Sequence, residues 1–182
     1  MSPEISVTSH RDLTRGDLAG LRALFDAEYL SEFGDWDPDQ PYGYAPHDVH
    51  VIARRGDETV AHVGWARRDI RVDGRAVAIA GVGGVLVADQ ARGLRLGERL
   101  MSAAAASMRE AGGVEFGYLG CRESVVPFYR SCGWTRVAAV ERSVDRRGRP
   151  TVTPAGAPIL VFPLDSARQW PEGDIDLRGR AW

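Results

Sequence analysis

The longest apolar run in the chain, Val77-Ala78-Ile79-Ala80-Gly81-Val82-Gly83-Gly84-Val85-Leu86-Val87, is rich in β-branched residues and glycine and contains no polar side chain. That is the pattern of a strand buried on both faces. After it, Leu96, Leu100, Ala104 and Met108 recur at helical spacing through alanine-rich sequence, and Gly112-Gly113 stops the helix. Val114 to Gly120 reads as a second, short strand. Ser124 then caps a short helix, Val125 to Cys132, with Pro127 tolerated in its first turn and Gly133 at C′. Upstream, Ile5 and Val7 alternate as a first strand, and Thr14 with Asp17 forms a capping box for a helix whose apolar face carries Leu18, Leu21, Phe25 and Tyr29. Val49 to Arg54 and Thr59 to Ile70 alternate around the turn Gly56-Asp57, and Val72-Asp73-Gly74-Arg75 returns the chain to the apolar run. Thr135 to Arg142 predicts a strand, Asp145 to Pro150 a charged turn, and Pro158 to Phe162 the last strand. The sum is a chain of strands and helices in which the early strands form an antiparallel meander.

Composition changes this picture little. A chain of 182 residues suits one domain with a real core. With 44% hydrophobic and 26% charged residues and a net charge of −2, it reads as soluble and globular, and it has no basic stripe that would point to nucleic acid. No stretch resembles a signal segment or a membrane span, so the expected compartment is the cytoplasm and no membrane partner is expected. Cys121 and Cys132 are too few for a disulfide framework and lack zinc spacing, so both read as reduced thiols. His10, His47, His50 and His62 show no metal-ligand spacing, and no metal is expected.

Two stretches carry candidate chemistry. The turn Arg92-Gly93-Leu94-Arg95-Leu96-Gly97 joins a strand to a helix. Such a turn aims backbone N–H groups and a helix N-terminus at one point, which suits phosphate oxygens, although an ordinary connection has the same outline. The segment Ser31 to Asp48 sets Glu32, Asp35, Asp37, Asp39 and Asp48 among Trp36, Tyr42 and Tyr44. It reads either as a solvated loop or as a substrate loop in which aromatics stack and carboxylates neutralise a cation.

The strand ending in Val87, the Arg92 to Gly97 turn, the helix and strand after it, and Phe128-Tyr129-Arg130-Ser131-Cys132-Gly133-Trp134 together resemble the Gcn5-related N-acetyltransferase (GNAT) superfamily. Arg92 and Gly97 match its cofactor loop, while Arg95 stands where the middle glycine is usual. The Arg-Gly-x-Arg-Leu turn, the Ala61-His62 pair, the Tyr of the short helix and the Gly133-Trp134 step are similar to the aminoglycoside 2'-N-acetyltransferases. Val161-Phe162-Pro163-Leu164 and Trp170-Pro171-Glu172-Gly173-Asp174 resemble the C-terminal segment both of those enzymes and of the rhizobial nodulation protein A acyltransferases, and the continuation to Trp182 is closer to the latter.

This resemblance implies an α+β fold with a mixed, mostly antiparallel central sheet flanked by helices, in a single N-acetyltransferase domain over residues 1–182, with a cofactor-binding core at about 76–134 and a substrate-side strand and tail at about 158–182. It implies acetyl-CoA as cosubstrate. Val85, Leu86 and Val87 would align its pantetheine, Arg92, Gly93, Leu94, Arg95, Leu96 and Gly97 would hold its pyrophosphate, and Tyr129 would protonate the departing thiolate. Asp35, Trp36, Asp37, Gly83, Asp174 and Asp176 are the expected acceptor contacts. Gly83 stands where the aminoglycoside enzymes carry a glutamate, which leaves the base unassigned among Asp35, Asp37, Glu123 and the Asp174 to Asp176 tail, or unnecessary. The expected acceptor is a small amine, an aminoglycoside or a less charged amino sugar of the kasugamycin kind, with a role in antibiotic resistance. The rivals are transfer of longer acyl chains to an amino sugar, a peptide acceptor, and a non-catalytic coenzyme A-binding module. A homodimer is in keeping with the superfamily.

Overall fold

The computed structural model describes residues 2–93 and 95–182. Among these, ten strands form one sheet. β1 (Glu4–Ser9), β2 (Val49–Arg55), β3 (Glu58–Val72) and β4 (Arg75–Val87) are successive antiparallel neighbours. β5 (Phe116–Gly120) joins β4 in parallel, and β9 (Ile159–Pro163) lies between β5 and β6 (Thr135–Val137). The end of β3 extends past β2 and there pairs with β10 (Ile175–Asp176). β10 in turn pairs with β7 (Glu141–Val144), and β7 with β8 (Pro150–Thr153). The strand expected over Thr135 to Arg142 is thus two strands in different parts of the sheet. The mixed, mostly antiparallel sheet flanked by helices is the architecture that the resemblance implies.

Alternation along the strands assigns the layers. Val51, Ala53, Ala61 and Val63 face α2 (Leu96–Ala111), which buries Leu96, Leu100, Ala104 and Met108 against them. Ile52 and Leu86 face the opposite way, onto Leu21, Leu24 and Phe25 of α1 (Arg15–Phe33). The expected capping box starts α1: Thr14 N–H donates to Asp17 Oδ2 at 2.8 Å, and Asp17 N–H donates to Thr14 Oγ1 at 3.1 Å. α3 (Val126–Ser131) is short and begins without a side-chain cap, so Ser124 does not fill the expected role; a 3-10 turn over Glu123–Val125 leads into the helix instead.

The C-terminal tail covers the rest of the α1 face. Ile175, Leu177 and Trp182 pack with Ile70, Val72, Ile79 and Tyr118. Arg68 holds the tail down: its guanidinium lies 3.8 Å from the centre of the Trp182 ring and donates to the carbonyls of Leu177 (3.2 Å) and Arg180 (2.7 Å). No helix among the described residues is long and apolar enough to cross a membrane.

Candidate active site

The two parallel strands part company halfway. β4 and β5 pair at Ile79–Phe116, Ala80–Gly117 and Gly81–Tyr118, and no further. β5 continues on β9 alone, while β4 runs on to Val87. On its other side β4 is bulged: Gly83 pairs with Gly64 and Leu86 with His62, so that Gly84 and Val85 share the space opposite Val63. Gly84 has φ +58°, the left-handed conformation that a bulge of this kind requires and that glycine adopts without a steric cost. The fork and the bulge together leave backbone groups of Gly84 and Val85 outside the ladder. A cleft of about 540 Å3 opens over them.

Tyr129 and Glu141 stand at this cleft together with Gly83, Gly84 and Val85. α3 delivers Tyr129, which is nearly buried between Phe128 and Trp134; burial pushes its phenol well above the usual value, so it stays protonated at neutral pH. Glu141 comes from β7 and is buried. It accepts a hydrogen bond from the Tyr118 hydroxyl, and Tyr118 is the last β5 residue paired to β4, so the carboxyl lies at the fork. Desolvation raises its pKa above the ordinary glutamate value, against the lowering effect of the Tyr118 hydrogen bond. Sequence reasoning missed Glu141 because an alternating strand over 135–142 gives it no distinguishing signal.

The opposite wall is aromatic: Phe25, Tyr29 and Phe33 of α1, with Tyr42 and Tyr44 from the following loop. Tyr42 has φ +52°, and its buried hydroxyl has no hydrogen-bond partner among the described residues; desolvation pushes its pKa up to about 12. Beside this wall the four histidines come together. His47 lines the cleft and sits in a socket made by the paired glycines 64 and 83, where an added Cβ would lie 2.4 Å and 3.0 Å from its ring. His10, His50 and His62 form a hydrogen-bonded chain at 3.0 Å and 2.9 Å, and His62 Nδ1 lies 2.7 Å from the Gly84 carbonyl.

The other sequence-derived candidates divide. Leu86 is buried in the α1 core, and the Val87 carbonyl accepts from Arg92 Nε at 3.2 Å. Arg92 also pairs with Asp89 at 2.6 Å. Arg95, at φ +52°, is the residue before α2, whose start has no side-chain cap; its guanidinium turns back to Glu98 at 2.9 Å. Gly93 is left-handed, Leu96 is buried, and Gly97 lets the Phe128 ring approach to 3.1 Å from where a Cβ would stand. Leu94 lies outside the described residues.

Trp36 is not an acceptor wall. It is 2% exposed and stacked on Phe25 with ring centres 5.1 Å apart, inside the α1 core. Neither Asp35, Asp37, Asp174 nor Asp176 lines the cleft: Asp37 accepts from the Asp39 N–H, Asp174 pairs with Arg142 at 3.2 Å, and Asp176 accepts from the Arg178 N–H. Glu123 is likewise exposed and pairs with Arg136.

Comparison with known proteins bears on the family and the fold. A family model described as nodulation protein A (NodA) matches residues 4–180. Nodulation protein A of Azorhizobium caulinodans is 29% identical, over 92% of this chain and 80% of its own. Among solved structures, Escherichia coli ElaA superposes with a TM-score of 0.62 at 23% identity, covering 87% of this chain and 97% of that one. The GNAT family N-acetyltransferase YhbS of E. coli, solved in complex with CoA, gives 0.60 at 15% identity, covering 97% and 90%. At such identities the structural likeness is one of fold, and that fold is the GNAT acetyltransferase fold.

Proposed function

The chain belongs to the nodulation protein A family, a family of N-acyltransferases, and from that premise we propose that it transfers an acyl group from a coenzyme A thioester to the primary amine of an amino sugar. The observation that carries this reading is the fork between β4 and β5, which exposes the bulged backbone at Gly84–Val85 beside Tyr129 and Glu141.

Transfer from a thioester to an amine needs three things: the carbonyl polarised, a proton taken from the nitrogen, and a proton given to the sulfur. In our reading the pantetheine lies along β4 like an added strand, and its pyrophosphate meets the uncapped N–H groups at the start of α2, with Arg92 and Arg95 alongside. The Val85 N–H donates to the thioester oxygen. The amine attacks the carbonyl carbon, and the C–N bond forms as the C–S bond breaks. Glu141 accepts the proton from nitrogen, and Tyr129 donates its proton to the departing thiolate. Burial makes the Glu141 carboxylate more basic than a free one, which suits a proton acceptor.

The acceptor reading narrows accordingly. The carboxylates that favoured a polycationic aminoglycoside lie outside the cleft, where Glu141 is the acidic residue and the remaining wall is largely aromatic. An amino sugar with one reacting amine, stacked on Tyr29, Tyr42 or Tyr44, fits that wall better, and a resistance role has no support beyond the original resemblance. Acetyl-CoA is the expected donor, with a longer acyl-CoA as the rival that membership of the family brings. Release of coenzyme A thiol would be measured with acetyl-CoA and longer acyl-CoAs against simple amino sugars and multi-amine aminoglycosides. Turnover with a simple amino sugar is the expected result; thiol release with no amine at all would end the reading.

A further inference from the structure

The His10–His50–His62 chain runs from the surface into the interior and ends on the backbone of the bulge. A carbonyl oxygen can only accept, so the 2.7 Å contact with Gly84 requires the proton of His62 to sit on Nδ1. His62 Nε2 is then a bare acceptor and takes the N–H of His50 Nδ1, and His50 Nε2 in turn takes the N–H of His10 Nδ1. His10 Nε2 lies at the surface end, 3.5 Å from Asp39. Every tautomer in the chain is therefore dictated from the Gly84 end. Burial keeps the inner members uncharged: the His50 pKa falls to about 3 and that of His62 to about 4.

The Gly84–Val85 peptide is trans, so its carbonyl and its N–H point in opposite directions. Fixing the carbonyl fixes the N–H. Neither residue is held by a ladder partner on β3, and β5 has already left β4 at this level. The bond from His62 thus fixes the carbonyl of a peptide whose two residues have no register partner on either neighbouring strand.

We propose that His62 is a positioning residue for catalysis: by donating from Nδ1 to the Gly84 carbonyl, with its tautomer enforced through His50 and His10, it aims the Val85 N–H at the thioester oxygen. This rests on the acyl-transfer reading above. The chain does not carry a proton to the reaction, since it terminates on a carbonyl that has none to exchange.

Asparagine and glutamine separate this role from mere filling of space, because the Asn amide nitrogen reaches the position of Nδ1 and the Gln amide nitrogen that of Nε2. His62→Gln should lose kcat by about 10²-fold, the scale of one oxyanion donor, with KM for acyl-CoA changed less than about two-fold. His62→Asn should recover kcat to within about five-fold of the parent at the same thermal stability. Equal kcat loss in both variants, or an unimpaired His62→Gln, overturns the proposal. Should the variants not fold, nitrogen-15 NMR of the unaltered protein decides: a neutral His62 with its proton on Nδ1 supports the proposal, and a proton on Nε2 overturns it. An unaltered protein that releases no thiol with any donor removes the acyl-transfer reading itself, whereas turnover that is indifferent to His62→Gln removes only the role of His62.

Discussion

Burying three neutral histidines makes the fold sensitive to mild acid. His47, His50 and His62 are at most 5% exposed, and desolvation lowers each pKa: to about 3 for His50, about 4 for His62, and well below 6.5 for His47. In the unfolded chain all three titrate near 6.5. Between pH 6.5 and about 4 the unfolded state therefore binds more protons than the native state, and stability falls as pH falls. One such group costs about 2 kcal/mol at pH 5, from about 1.4 kcal/mol per pH unit, so the three together cost about 6 kcal/mol. A single domain has about 5–15 kcal/mol to lose. Glu141 works the other way, because its raised pKa lets the native state hold a proton that the unfolded state has released, and one carboxyl offsets at most one of the three. Asp17, whose pKa is lowered, matters only below 3.8. Urea unfolding at constant ionic strength from pH 7.5 to 5 should show stability falling by about 3–4 kcal/mol per pH unit below pH 6, with the slope reduced by about one proton in His62→Asn. A stability that changes by less than about 1 kcal/mol between pH 7 and pH 5 would mean that the histidines are not buried neutral as described.

Tyr129→Phe keeps the ring packing against Phe128 and Trp134 but removes the proton for the thiolate, so turnover should fall by about 10²-fold or more while acyl-CoA affinity, read by calorimetry, stays the same. Unchanged turnover would dismiss Tyr129 as the acid. Glu141→Gln should lower kcat to a similar extent and should flatten the acid limb of the pH profile, since the parent enzyme gains activity as the raised carboxyl deprotonates. A variant that keeps that limb would show that another group titrates.

The parts of this fold that the sequence discloses are those built from neighbours in the chain. The apolar run of β4, the 3.6-residue period of α2 and the Thr14–Asp17 capping box are local, and each forms where its pattern predicts. The cleft is made by contacts between distant segments, which leave no periodic trace. His10, His50 and His62 are separated by 40 and 12 positions yet bond in a row. Trp36 misleads for the same reason: an aromatic in a loop of acids and prolines looks available for stacking, but Phe25 of α1 has already claimed its face. The acidic tail residues are also engaged elsewhere, Asp174 by the distant Arg142 of β7 and Asp176 by the N–H of Arg178.

Gly83 shows how one side chain can be excluded by two others. A glutamate there would have to begin with a Cβ 3.0 Å from His47 Nε2 and 3.3 Å from the Cβ of Trp182, so its space is taken before its carboxyl is built. Gly81, one step back on the same face, has the Trp182 ring 2.2 Å from where a Cβ would stand, and Gly64, across the ladder from Gly83, has the His47 ring at 2.4 Å. The three glycines are thus the floor on which an imidazole and an indole from outside the strand are seated. With that floor occupied, a carboxyl can reach the fork only from a neighbouring element. β7, tied to the end of β3 through β10, brings Glu141 there under the Tyr118 hydroxyl. The carboxyl at the fork is therefore held by the same tail strand that covers the sheet, since β10 is what ties β7 to β3.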